Sequence, residues 1–104
     1  MLASEARSLI AGLNNPAEPL GFLVARETAA VALRDLEGLS QAKVGQQLSA
    51  VAQAVFGALL PKVIADRAHE WGVPREGRRP TRFAVMGLGK LGSREQTYAS
   101  VMDV

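Results

Sequence analysis

The sequence has 104 residues, of which 48% are hydrophobic and 5% aromatic, with 12 basic and 10 acidic side chains and no cysteine. This length allows one domain at most, and the lack of cysteine excludes disulfides, cysteine–zinc sites and thiol catalysis. The net charge of +2 is small, and no aromatic residues are interleaved among the basic ones, so the composition does not favour nucleic-acid binding.

Two helices are predicted in the first third of the chain. Ser4 can cap a helix over residues 4–13, and the Asn-Asn-Pro sequence at 14–16 ends it. A second helix is predicted over residues 18–37, ended by Gly38. Its charges form one narrow stripe and the rest is apolar nearly all round, a pattern typical of a helix buried between neighbours.

A third helix is predicted over residues 41–71, with Ser40 as its cap. Apolar residues recur along it at i+3 and i+4 spacing, which indicates one buried face: Val44, Leu48, Val51, Val55 and Leu59. Pro61 lacks a backbone donor and its ring crowds the preceding turn, so we expect a kink or break near Leu59–Leu60. Residues 72–81 are predicted to be an aperiodic linker rich in Pro, Gly and Arg.

Nothing in the sequence is typical of export or of a membrane protein. The N-terminus carries Glu5 and lacks a basic segment followed by a long apolar run, so it is not typical of a signal peptide. No uninterrupted apolar run reaches the roughly 18 residues of a membrane span. We therefore expect a cytoplasmic protein without membrane association.

The last quarter of the chain contains the most specific pattern. Residues 83–86 are apolar and predict a strand over 82–87, which leads into the sequence Gly-Leu-Gly-Lys-Leu-Gly-Ser at 87–93. Glycines in such a turn let backbone N–H groups approach phosphate closely. Lys90 can reach phosphate oxygens from there, or be a solvated loop lysine. Ser93 can donate to phosphate, or cap the next turn.

The spacing Gly87-x-Gly89-x-x-Gly92 also satisfies the dinucleotide-binding pattern. That pattern requires a helix after the turn and an acidic residue about 20 positions further on. Residues 93–100 have no apolar helical period, and the sequence ends before such an acid. A truncated Rossmann-type dinucleotide-binding protein is therefore an alternative interpretation.

The sequence GLGKLGSREQTYASVMDV at 87–104 resembles the active-site motif of the glutamine synthetase adenylyltransferase family. The upstream sequences ALRDLEGL at 32–39 and LSAVA at 48–52 are similar to that family's helical lead-in, so the resemblance extends from about Arg26 to Val104. It implies a mainly α chain leading into α+β: residues 1–71 as helical lead-in, 72–81 as linker, and 82–104 as the start of a polymerase-beta-like nucleotidyltransferase domain.

The resemblance also implies a site for ATP and Mg²⁺. The residues it assigns to nucleotide phosphates are Gly87, Gly89, Lys90, Gly92, Ser93 and Ser100, and Asp103 is assigned to the metal. The family carries a second aspartate where this chain has Val101, and aspartates at i and i+2 on a strand point to the same side. Valine offers no oxygen ligand, so the carboxylate pair is incomplete and no catalytic set is intact.

For the full enzyme, the resemblance implies transfer of AMP from ATP to a tyrosine of glutamine synthetase, or its removal, under the control of PII protein and glutamine. The sequence does not distinguish attachment from removal. We expect this chain, a fragment or truncated homologue, to be inactive alone. A non-catalytic helical interaction module with a vestigial glycine turn is the alternative from another class.

Overall fold

The computed structural model describes residues 2–104, which form four helices and one two-stranded hairpin. Helix α1 spans Leu2–Ile10, α2 spans Ala17–Leu36, α3 spans Gln41–Trp71 and α4 spans Gly89–Gly92. The hairpin pairs β1, Arg75–Glu76, with β2, Arg79–Pro80. The three predicted helices are confirmed, although α1 begins and ends slightly earlier than predicted.

Local signals set the ends of α3. The Ser40 hydroxyl accepts a hydrogen bond from the Lys43 N–H at 3.4 Å, which satisfies one of the unpaired donors of the first turn. At the other end Gly72 adopts φ +86°, and its N–H donates to the Ala68 carbonyl over 2.8 Å. A positive φ favours glycine, which explains why the helix ends there.

The core lies along α3 in two clusters of small and branched aliphatic side chains. The first joins α1, the start of α2 and the second half of α3 through Ala6, Ile10, Leu20, Leu23 and Ala58. The second joins α2 to the start of α3 through Val31, Val44 and Leu48. A helix of 31 residues is about 46 Å long, so α3 accounts for most of the 52 Å long axis of the molecule.

The break predicted near Leu59–Leu60 is not formed, because α3 continues through Pro61, and the kink stays a prediction. Proline removes the hydrogen bond to the carbonyl four residues earlier. The turn before it is held by tertiary packing instead: Ala58 is buried, and Val55 and Leu59 pack against the cluster that contains α1. Packing against a neighbouring helix thus overrides the local preference.

Helix α2 is covered on one side only, so the prediction that it is buried between neighbours is wrong for its other side. Leu23 and Val31 are buried against α1 and α3. Phe22, Leu33 and Leu36 are 71%, 64% and 86% exposed. This outer side is apolar, and no described element covers it.

The predicted strand over 82–87 is not formed, since residues 81–88 are neither helix nor strand. A strand needs a partner for its backbone N–H and C=O groups, and within residues 2–104 the two short strands pair with each other. These strands lie inside the segment predicted as an aperiodic linker, and Gly77, with φ +65°, forms their turn. Both are exposed.

The hydropathy of the central helix, α3, is relevant to the expectation that the chain does not associate with a membrane. An 18-residue window of α3 has a mean hydropathy of 1.7, and one third of it is buried. By length and composition alone α3 could therefore cross a membrane, although the sequence contains no uninterrupted apolar run of that length. The core helix of a globular bundle passes the same test, and α1 and α2 pack on α3 here.

Candidate functional site

The glycine loop at residues 87–93 closes tightly on itself. A Cβ atom at Gly92 would lie 2.6 Å from the Gly87 carbonyl oxygen, and one at Gly87 would lie 3.1 Å from Leu91 Cγ. Gly89 adopts φ +52°, a conformation that favours glycine. All three glycines are therefore explained by the geometry of the loop itself, with the buried Leu91 as its anchor.

The loop contains the single turn of helix α4. The Gly92 N–H donates to the Leu88 carbonyl, and the Ser93 N–H to the Gly89 carbonyl, each over 3.0 Å. Four residues are far fewer than the helix that follows the turn in a dinucleotide-binding unit. No strand leads directly into the loop either, since residues 81–88 are neither helix nor strand, so the described residues lack the context that the Rossmann alternative requires.

Asp103 lies against this loop. Its backbone carbonyl accepts a hydrogen bond from the Leu88 N–H over 2.9 Å. Its carboxylate oxygen Oδ2 would be 3.2 Å from a Cβ atom placed on Gly89. The structure thus brings the predicted metal ligand to the predicted phosphate loop, whereas Val101, which is 77% exposed, offers no oxygen ligand in its side chain.

The other predicted site residues differ in their local contacts. Lys90 is exposed, and its ammonium makes no hydrogen bond or ion pair with another residue in 2–104, so it is available to an anion. The Ser93 hydroxyl lies 3.3 Å from both the Lys90 carbonyl and Glu95 Oε2. Ser100 Oγ accepts from the Thr97 N–H over 3.0 Å. Both serines would have to rotate to contact phosphate, and their role stays a prediction.

Residues 94–96, directly after the loop, pack on two small residues of α3, Gly45 and Ser49. A Cβ atom at Gly45 would lie 3.1 Å from Glu95 Cα, so the two backbones are in close contact. One turn further along, the Ser49 hydroxyl accepts from the Gln96 N–H over 3.4 Å, and both residues are buried. This surface of α3, formed by Gly45 and Ser49, is the seat of residues 94–96. Arg94, where the chain reaches the seat, adopts φ +61°, which is unusual for a residue with a side chain.

Two side-chain hydrogen bonds hold residues 96–101, the next part of the chain, in place. The Gln96 side-chain Nε2 donates to the Val101 carbonyl over 3.4 Å, and the Tyr98 hydroxyl donates to Asp35 Oδ2 over 2.9 Å. Partial burial, this hydrogen bond and the Asp35 charge raise the pKa of Tyr98. Sequence reasoning missed Gly45, Ser49 and Asp35. The only signal was the interruption of the apolar side of α3 by glycine and serine at i and i+4.

Comparisons with known proteins assign most of the chain to one family. The sequence profile of the glutamate–ammonia ligase adenylyltransferase family matches residues 11–104. Proteins named bifunctional glutamine synthetase adenylyltransferase/adenylyl-removing enzyme are similar over most of the chain. The one from Mycolicibacterium smegmatis is 37% identical over 97% of this chain, and the one from Mycobacterium avium is 34% identical over 98%. The Neisseria meningitidis serogroup B protein is 39% identical over 71%.

The chain aligns with this class of adenylyltransferases over helices α2 and α3 and the glycine loop. It belongs to the glutamate–ammonia ligase adenylyltransferase family. The chain spans about a tenth of the length of these relatives: 10% of the M. smegmatis protein and 11% of the M. avium protein. No solved structure matches it.

Proposed function

We propose that this chain serves the adenylyl chemistry of its family, with the glycine loop binding the phosphates of ATP and the bundle holding that loop in place. The names of the relatives describe enzymes that transfer adenylyl groups to glutamine synthetase and remove them from it. We propose the same target here and, from the sequence resemblance, PII protein as a regulator. The observation that carries this is the approach of the Asp103 carboxylate to Gly89.

The residues around the loop suit a magnesium nucleotide better than a free metal ion. Within residues 2–104 no group of three His, Cys, Asp or Glu side chains could hold a metal by itself. Mg²⁺ is commonly bound through one or two carboxylates together with substrate phosphates. Asp103 is the residue that would hold it here, and the ion would neutralise phosphate charge. Lys90 would contact the phosphates directly through its ammonium.

The same residues explain why we propose that the chain alone transfers no AMP. Asp103 is the single carboxylate left of the aspartate pair, because Val101 occupies the position where the family motif carries the other aspartate. One carboxylate holds the ion weakly and leaves it poorly oriented. Thr97 and Ser100 bond to each other, and the Glu95 carboxylate near the loop accepts from the Ser93 hydroxyl.

Titration calorimetry with ATP–Mg²⁺ tests the nucleotide assignment. Lys90→Ala should weaken binding roughly ten- to a hundredfold, because a charge-assisted hydrogen bond is typically worth about 1.5–3 kcal/mol. Lys43→Ala removes the same charge from α3 and should leave binding unchanged. Val101→Asp should strengthen the dependence on Mg²⁺. Saturable binding of NAD in place of ATP–Mg²⁺ would contradict the proposal.

The absence of transfer is tested separately. The chain is incubated with labelled ATP, Mg²⁺ and glutamine synthetase, and the label on glutamine synthetase is followed with time. We expect no label above that of a sample without the chain. Time-dependent labelling would show that one carboxylate suffices.

A further inference from the structure

The outer side of α2 carries a continuous apolar stripe, formed by Phe22, Ala25, Ala29, Leu33 and Leu36. All five residues are exposed. At 3.6 residues per turn they fall within a sector of about 80°, on the opposite side of the helix from the buried Val31. Residues at spacings of three and four along one side form a packing surface, and here that surface has no partner within residues 2–104.

The stripe is symmetric about Ala29. Ala25 and Leu33 lie four positions before and after it, and Phe22 and Leu36 lie seven positions before and after it. A second α2 running antiparallel, related by a twofold axis through Ala29, would place Phe22 against Leu36 of the partner subunit. Ala25 would meet Leu33 of the partner subunit. Such an isologous arrangement requires a self-complementary surface, and the spacing provides one.

Shape and charge are compatible with this pairing. Alanine at the centre of the stripe lets two helix backbones approach closely, while the larger side chains at either end cover the alanines. None of the five residues is charged. The nearest cation, Arg26, is bound within its own chain to Glu5 at 2.8 Å and to Glu27 at 2.7 Å.

The available area sets an upper bound on the strength of this dimer. With Phe22, Leu33 and Leu36 at 71%, 64% and 86% exposure, complete burial of the stripe in both copies would remove at most roughly 1,000 Å², the lower limit for a specific interface and therefore a weak association. We propose that this chain forms an antiparallel homodimer through the outer side of α2, with the two copies of Ala29 facing each other. The interface uses no residue of the glycine loop, so it is independent of the function proposed above.

The absence of cysteine from the chain allows a sharp test by disulfide trapping. Under mild oxidation Ala29→Cys should form a covalent dimer at least tenfold faster than Ala25→Cys, because only residue 29 faces its own copy. A mixture of Ala25→Cys and Leu33→Cys should give the mixed disulfide. Val63→Cys, at a half-exposed position on α3, is the control and should remain monomeric.

Sedimentation equilibrium provides the non-covalent measurement. The mass of the unmodified chain should rise toward twice the monomer value with concentration. Ala29→Asp should weaken the association at least tenfold, whereas Val63→Asp should not, and circular dichroism should show that both variants stay helical. A monomer at every concentration overturns the proposal, as does trapping of Ala29→Cys no faster than of Val63→Cys. Equal trapping at positions 25 and 29 overturns the antiparallel arrangement.

Discussion

The hydroxyl of Tyr98 donates a hydrogen bond to Asp35 Oδ2 over 2.9 Å, although the two residues are 63 positions apart. The bond joins the last turn of α2 to the segment that follows the glycine loop. It is one of three contacts that seat this segment on the bundle, together with the Gly45–Glu95 approach and the Ser49–Gln96 hydrogen bond.

This bond should be visible in the titration of Tyr98. Partial burial first, then the hydrogen bond to Asp35 and its charge, raise the pKa of Tyr98 above the ordinary value of 10.0. Because the folded-state pKa is the higher one, the stabilisation is fully present below about pH 10 and is lost as the pH rises through the folded pKa. Asp35→Ala should lower the pKa of Tyr98.

The chain has one tyrosine, so the ultraviolet absorbance of tyrosinate reports this residue directly. Glu37→Ala, which removes a carboxylate just beyond the end of α2, is the control and should leave the titration unchanged. An identical pKa for Tyr98 in Asp35→Ala and in the unmodified chain would show that the bond is not formed in solution.

Two glycine-to-alanine changes should have opposite effects on the free energy of unfolding. Gly92→Ala places a Cβ atom 2.6 Å from the Gly87 carbonyl oxygen, so the loop must shift, at a cost of about 1–3 kcal/mol for such overpacking. Gly57→Ala adds a Cβ atom with nothing within 4 Å, and should stabilise α3 by about 0.5–1 kcal/mol through helix propensity. Urea unfolding measures both, and effects of the same sign would contradict the loop geometry.

Pro61→Ala should stabilise the chain by up to about 3 kcal/mol, because it supplies the missing backbone donor in the interior of α3 and removes the steric conflict. Pro61 is exposed, so the loss of its ring leaves no cavity. Thermal unfolding followed by circular dichroism is the measurement. A lower midpoint than that of the unmodified chain would mean that α3 is interrupted at this residue.

Two leucines of α2 provide a matched pair for the core. Leu23 is completely buried and Leu36 is 86% exposed. Leu23→Ala should cost about 2–5 kcal/mol from lost apolar burial and the remaining cavity, whereas Leu36→Ala should change stability by no more than about 0.5 kcal/mol. The comparison is made by urea unfolding at dilutions that suppress association. Similar losses in the two variants would contradict the orientation of α2.

How much could be predicted from the sequence depends on the range of the interactions involved. The ends of α3 were predicted correctly because Ser40 and Gly72 act within one turn of the helix. The strand over 82–87 was not, because a strand exists only if a partner lies beside it, and the apolar pattern does not contain that information. The continuity at Pro61 likewise depends on α1, which is distant in sequence.

In the candidate site too, sequence reasoning recognised what is local and missed what depends on residues distant in sequence. Its glycines and Lys90 were recognisable from their spacing, because a tight turn is a local property. Gly45 and Ser49 were read only as part of a helix, since their use as a seat depends on residues nearly fifty positions later. That Asp103 reaches Gly89 follows from the path of the segment between them, which this seat determines.

The seat has a consequence for the order of folding. Residues 94–103 belong to no helix or strand, and their position depends on partners up to 63 positions away. Contacts of such long sequence separation are slow to form, and we expect them to form after the local helices. A synthetic peptide of residues 82–104 should therefore sample many conformations, and its binding constants would not describe the motif as the helices present it.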